Sequence, residues 1–123
     1  MALYESGEMY LETIHVLYER GIEKVRAIDI VREMNFSKPS VSVALSNLKK
    51  EGYVAVDVNG TVSLTEEGEK VAQKIYERHV LLTEVLTNIG VNPEVAAEDA
   101  CRIEHVISDE TFDALKKALS KKN

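Results

Sequence analysis

The sequence predicts a mainly α-helical chain that opens with a winged helix-turn-helix and continues as a helical domain. Three observations carry this. The first half reads helix, short helix, tight turn, helix and then a two-stranded hairpin, the order of a winged helix-turn-helix. An Asn59-Gly60 pair between β-branched runs marks the hairpin. From Thr65 onward, apolar residues recur at helical spacing with no further strand pattern. The 123 residues, 45% hydrophobic with two prolines, suffice for one compact domain or two small ones sharing a core. The expected division is 1–65 and 66–123.

The first helix is expected from about Ser6 to Arg20, where Leu11, Ile14, Leu17 and Tyr18 share a face and Gly21 stops it. A shorter helix near Arg26 to Met34 carries Ile28, Val31 and Met34 on one face. Asn35-Phe36 turns into Ser37, an apt N-cap, and Pro39 sits in the first turn, where a missing N–H costs nothing. The third helix continues through Val41, Leu45 and Leu48 to about Glu51, and Gly52 ends it. Tyr53–Val58 and Thr61–Leu64 are the hairpin strands, with Asn59-Gly60 as a two-residue turn. Thr65 caps a long helix running to Gly90, and Glu66 and Glu67 stand at its positive end. Asn92-Pro93-Glu94 opens a fifth helix and Ser108-Asp109-Glu110 a sixth, with a lysine-rich end beyond it.

Composition narrows the function classes. No apolar run approaches the ~20 residues of a membrane span. The start lacks the basic end and apolar run of a secretory signal. A single cysteine, Cys101, excludes a disulfide framework and fits a reducing, cytoplasmic setting. No nucleophile elbow, P-loop or dinucleotide fingerprint is present, so an enzyme is not expected. The net charge of -6 argues against indiscriminate binding to polyanions. Yet Lys24 to Leu64 holds six basic and four acidic residues, which makes that segment +2 and the remainder -8. A nucleic-acid surface is therefore confined to the winged-helix segment.

Within the third helix, Val41, Ala44, Leu45 and Leu48 form a packing side, which Ser37, Lys38, Ser40, Ser42, Val43, Ser46 and Asn47 largely avoid. Hydroxyls, lysines and free N–H groups at the amino end suit phosphates, while Pro39 and Val43 suit thymine methyls. The plainer alternative is a merely solvated helix, against which the hairpin and the spacing weigh. In the fifth helix, Cys101, Glu104 and His105 stand three and four apart, so they can share a face. Thiolate, carboxylate and imidazole together suit iron(II), cobalt, nickel or zinc. A buried small cysteine beside a solvated Glu-His pair is the alternative. Cys101 as a redox switch and a protein-binding winged helix without a DNA role also stay open at this level.

The chain resembles the iron-dependent repressor family, which includes the diphtheria toxin repressor and manganese transport regulators. The likeness runs through Gly7–Leu11, Ser37–Ser42, Leu64–Gly68 and Glu77–His79 to the specific stretch Ala100–Glu110. It implies a homodimer with an α-helical dimerisation domain, a palindromic double-stranded operator and a divalent co-repressor. Carried over by position, the implied iron ligands are Met9, Cys101, Glu104 and His105, which favour Fe(2+). Glu12 and His79 match positions used with Mn(2+). The implied DNA-reading residues are Arg26, Ser37, Pro39, Ser40, Ser42 and Val43, beside Lys38 and Asn47 from the helix itself. A second, ancillary site is not expected, because Thr83 and Ala97 stand where the family has ligands, and Glu84 and Glu98 are shifted. The implied role is a metal-activated repressor of metal-uptake genes.

Overall fold

The structure, a computed structural model, describes residues 5–122. The first four residues, part of the start expected to carry no secretory signal, lie outside the described residues. The elements are α1 (Glu5–Glu19), α2 (Ala27–Met34), α3 (Lys38–Lys50), β1 (Val54–Val56), β2 (Val62–Leu64), α4 (Glu66–Asn88), α5 (Pro93–Ile103) and α6 (Asp109–Lys122). Two compact units divide the chain, Met1–Gln73 and Lys74–Asn123. Among the described residues, no helix is long and apolar enough to cross a membrane.

In the first unit Leu11, Ile14, Val25, Ile30, Val41 and Val62 are wholly or almost wholly buried and form the centre of one core. Asn35 ends α2 in the left-handed conformation (φ 56°), which its short polar side chain tolerates. Ser37 then caps α3, its Oγ accepting the Ser40 N–H at 3.2 Å.

The hairpin departs from expectation. β1 and β2 pair antiparallel with Val56 opposite Val62, so each strand is only three residues long. The Asp57 N–H donates to Thr61 O and the Gly60 N–H to Asp57 O, each at 3.0 Å. Gly60 is left-handed at φ 82°, whereas Asn59 is not. The connection is therefore the three-residue turn Val58-Asn59-Gly60, not the two-residue Asn-Gly turn. Asp57 decides this, because its Oδ1 accepts the Asn59 and Thr61 N–H groups, both at 2.9 Å. The same two bonds, Thr61 first, hold the Asp57 carboxyl below the usual aspartate range, and Lys24 and Arg26 add to this.

The hairpin is tied to the start of α4. Thr65 Oγ1 donates to Gly52 O at 2.6 Å and accepts the Gly68 N–H at 3.2 Å, while the Thr65 N–H reaches Tyr53 O at 3.1 Å. Deeper in this unit, buried His15 of α1 bonds Glu69 of α4 at 3.0 Å.

In the second unit Ile75, Leu82, Ala96, Ala100 and Phe112 are buried. Asn92 caps α5, accepting from the Glu94 and Val95 N–H groups, and the Thr111 N–H is capped by Ser108 Oγ. Lys116 and Lys117, expected beyond the last helix, lie inside α6, where Lys116 pairs with Glu77 at 2.7 Å.

Candidate functional site

Two features stand out, one in each unit. In the first unit α3 buries Val41, Leu45 and Leu48 and leaves Ser37, Lys38, Pro39, Ser40, Ser42, Val43 and Asn47 exposed. Val43 is 61% exposed, an unusual setting for a valine unless something covers it. Pro39, Val43 and Asn47 edge an open groove floored by Tyr10, Ala44 and Leu48. At the amino end, Pro39 carries no N–H, Ser40 gives its own to Ser37, and the Ser37 and Ser40 hydroxyls bond each other at 2.8 Å. Fewer donors are thus free for a phosphate than the sequence suggests. Arg26 is exposed and pairs with Thr61 beside the hairpin, its N–H held by Asp29 Oδ2 at 2.9 Å. An exposed helix with one apolar side packed, flanked by a hairpin and exposed cations, has the parts of a major-groove reader.

In the second unit the sequence places Glu104 just past the last turn of α5. The helix ends at Ile103, and Glu104 itself is right-handed (φ -57°, ψ -24°), continuing as a tight turn. Cys101 and Glu104 thus stand three apart on right-handed backbone, the Glu104 N–H bonding Ala100 O at 2.9 Å. Cys101, on the last turn of α5, is partly buried.

Glu104 is completely buried and meets two imidazoles. His79 Nδ1 of α4 lies 2.9 Å from Oε2, and His105 Nε2 lies 3.4 Å from Oε1. Neither Glu104 nor His105 exposes any of its side chain, and that of His79 is 29% exposed. Glu104 Oε1 makes no hydrogen bond. An ionised carboxylate removed from water is costly unless a positive charge or a full set of donors answers it. A divalent first-row ion would supply such a charge, since carboxylate and imidazole are both its ordinary ligands.

In the first unit Met9 and Glu12 stand three apart on α1, both partly buried, so they share a face of that helix. The Thr83 hydroxyl is spent on His79 O at 2.7 Å, Glu84 and Glu98 are exposed, and Ala97 has no donor.

Sequence reasoning overlooked Arg78. It is 6% exposed and holds the turn after α5 through Glu104 O, Ile107 O and Asp109. The sign was legible, because Val71, Ile75, Arg78, Leu82 and Val85 recur at helical spacing and put a charge on the apolar stripe of α4. Its partner Asp109 is held below the usual aspartate range, by Lys74 first and then Arg78.

A winged helix joined in one chain to a helical unit that buries a carboxylate between imidazoles defines a metal-dependent DNA-binding regulator. Comparison with known proteins agrees. Residues 2–62 match the iron dependent repressor N-terminal DNA binding domain, and residues 65–122 match the iron dependent repressor metal binding and dimerisation domain. The transcriptional regulator MntR of Escherichia coli O157:H7 is 37% identical over 107 residues, which is 87% of this chain and 68% of the relative. The diphtheria toxin repressor of Corynebacterium diphtheriae is 35% identical over 118 residues, 95% of this chain and 52% of the relative. The chain thus spans about half the length of that repressor. The solved manganese regulator SloR superposes with a TM-score of 0.82 at 31% identity, covering 98% of this chain and 55% of its own. A hypothetical protein from Sulfolobus solfataricus gives 0.73 at 25% identity, covering 97% and 91%. The chain belongs to the iron dependent repressor family, whose members are metal-dependent transcriptional regulators.

Proposed function

We propose that this chain is a metal-activated repressor that acts as a cytoplasmic homodimer on a palindromic operator of metal-uptake genes, with iron(II) as co-repressor. The observation that carries the reading is the buried Glu104 carboxylate between His79 and His105. The proposed ligands are Met9, Cys101, Glu104 and His105, with Glu12 and His79 as further donors. When bound, the ion supplies the positive charge that a buried carboxylate lacks.

The chain's own residues then divide the work. His79 orients the Glu104 carboxylate through Oε2, leaving Oε1 available. Lys38 and Arg26 contact phosphates, Ser37, Ser40, Ser42 and Asn47 offer hydrogen bonds, and Pro39 and Val43 offer apolar contacts. In a homodimer the two α3 helices must meet half-sites about 34–36 Å apart, or a multiple. An ion that favours the DNA-competent arrangement shifts the population by its differential affinity alone.

Manganese(II) is a second reading, supported by one observation. Glu104 and the imidazoles of His79 and His105 that flank it are harder donors than the Met9 thioether and Cys101 thiolate. A mobility shift on a palindromic operator, run anaerobically with iron(II), with manganese(II) and after chelation, tests both. Activation by iron(II) beyond manganese(II) is expected, and equal binding after chelation would remove metal from the mechanism. Glu104→Gln should lose activation while keeping the fold. A normal response in that variant would overturn the ligand set.

A further inference from the structure

We infer that Arg78 is a positioning residue for the metal centre, fixing the turn on which Glu104 and His105 are presented; this rests on the metal-site reading above. A helix end leaves carbonyls without amide partners, and the usual remedy is a left-handed glycine just beyond it. The end of α5 has none. The Val106 and Ile107 N–H groups both converge on Ile103 O, at 3.0 and 3.2 Å. The guanidinium of Arg78 reaches two further carbonyls of this turn from another helix. Its Nη1 donates to Glu104 O at 3.1 Å and Ile107 O at 2.9 Å, while Nη2 donates to Asp109 Oδ1.

The arrangement is rigid. The Arg78 side chain is 7% exposed, and its guanidinium carbon lies 5.6 Å from the centre of the Phe112 ring. Consecutive residues of α4 therefore hold Glu104 at both ends, Arg78 by the backbone carbonyl and His79 by the carboxylate. Were Arg78 only a surface ion-pair partner, Asp109, 68% exposed in its side chain, would be its natural and sufficient target. Its Nη1 is instead spent on the backbone of the ligand-bearing turn. Lysine, a single ammonium without a planar fork, reproduces the charge but not this geometry.

The test is anaerobic titration of the full chain with cobalt(II), followed by ligand-field absorption. Arg78→Lys should bind cobalt about 10–100-fold more weakly, the usual effect of losing a residue that orients ligands. Its bands at saturating cobalt should also differ from wild type, because Glu104 and His105 meet the ion differently. Wild-type bands at saturation overturn the inference, even if affinity falls, since a general loss of stability explains that result. If Arg78→Lys does not fold, Arg78→Gln, which lacks both the charge and the planar fork, takes its place in the same titration. Weaker binding with altered bands supports positioning, and a wild-type titration refutes it. Glu104→Gln is run alongside, and wild-type cobalt binding there would sink the metal-site reading itself, whatever Arg78 does.

Discussion

Gly68→Ala sets two effects against each other, and their magnitudes decide the sign. Gly68 lies in the first turns of α4, in ordinary helical conformation, so alanine should gain about 1 kcal/mol of helix propensity. However, a Cβ there would lie 2.0 Å from Tyr53 O, a backbone atom. Ordinary contact begins at 3.4 Å, so about 1.4 Å must be recovered between α4 and the strand entry. Backbone cannot yield as a side-chain tip does. Overpacking of this kind costs roughly 1–3 kcal/mol. The displacement also stretches the bonds from the Thr65 N–H to Tyr53 O and from Thr65 Oγ1 to Gly52 O, each contributing about 1 kcal/mol. Netting these, the variant should be about 2–4 kcal/mol less stable, a fall of roughly 8–16 °C in Tm for a chain this long. Urea denaturation of wild type and variant, followed by circular dichroism, measures it. Equal or greater stability for Gly68→Ala would refute the close approach.

Three further expectations follow from the winged helix. Ser37→Ala removes the α3 cap and should cost about 1 kcal/mol in the same denaturation assay, while Ser37→Asp, which can also cap, should recover much of it. Asp57, whose folded pKa is depressed, stabilises the hairpin above the ordinary aspartate range, and that contribution disappears as pH falls through its lowered value. Amide exchange at Asn59 and Thr61 should therefore lose protection selectively in acid, and Asp57→Ala should abolish the pH dependence. Lys38→Ala should weaken operator binding across sequences and reduce the slope of log affinity against log salt by about 1; an unchanged slope would place Lys38 off the phosphates.

Much of the fold was legible because local chemistry and tertiary packing agree. Ser37, Thr65, Asn92 and Ser108 each cap the helix that the sequence assigned them. One feature was misread because a nearby competitor won. Asn59-Gly60 favours a two-residue turn in isolation, but Asp57, two residues earlier, offers a carboxylate that captures two amides and lengthens the loop. Other contacts were beyond the reach of local reading, because the turn that carries Glu104 and His105 is held from a distant helix. Arg78 is 26 residues before Glu104, and no window of sequence around α5 contains the guanidinium that holds the Glu104 and Ile107 carbonyls.

The same reasoning explains why His79 was the harder donor to weigh from sequence. An isolated histidine on a long helix has no spacing partner, and its pairing with Glu104 exists only once α4 and α5 are packed. Arg78 gave the better clue, since a charge on an apolar stripe must be answered by something buried, and a buried answer constrains more than one residue. Here it answers carbonyls, which frees the Glu104 carboxylate to face the imidazoles instead of pairing with the guanidinium. That division matters chemically. Had Arg78 taken the carboxylate in a bidentate pair, the site would be electrically complete and would gain little from a cation. Because the guanidinium charge is directed to Asp109 and the backbone, the buried carboxylate faces imidazoles, and one of its oxygens is left without a hydrogen bond.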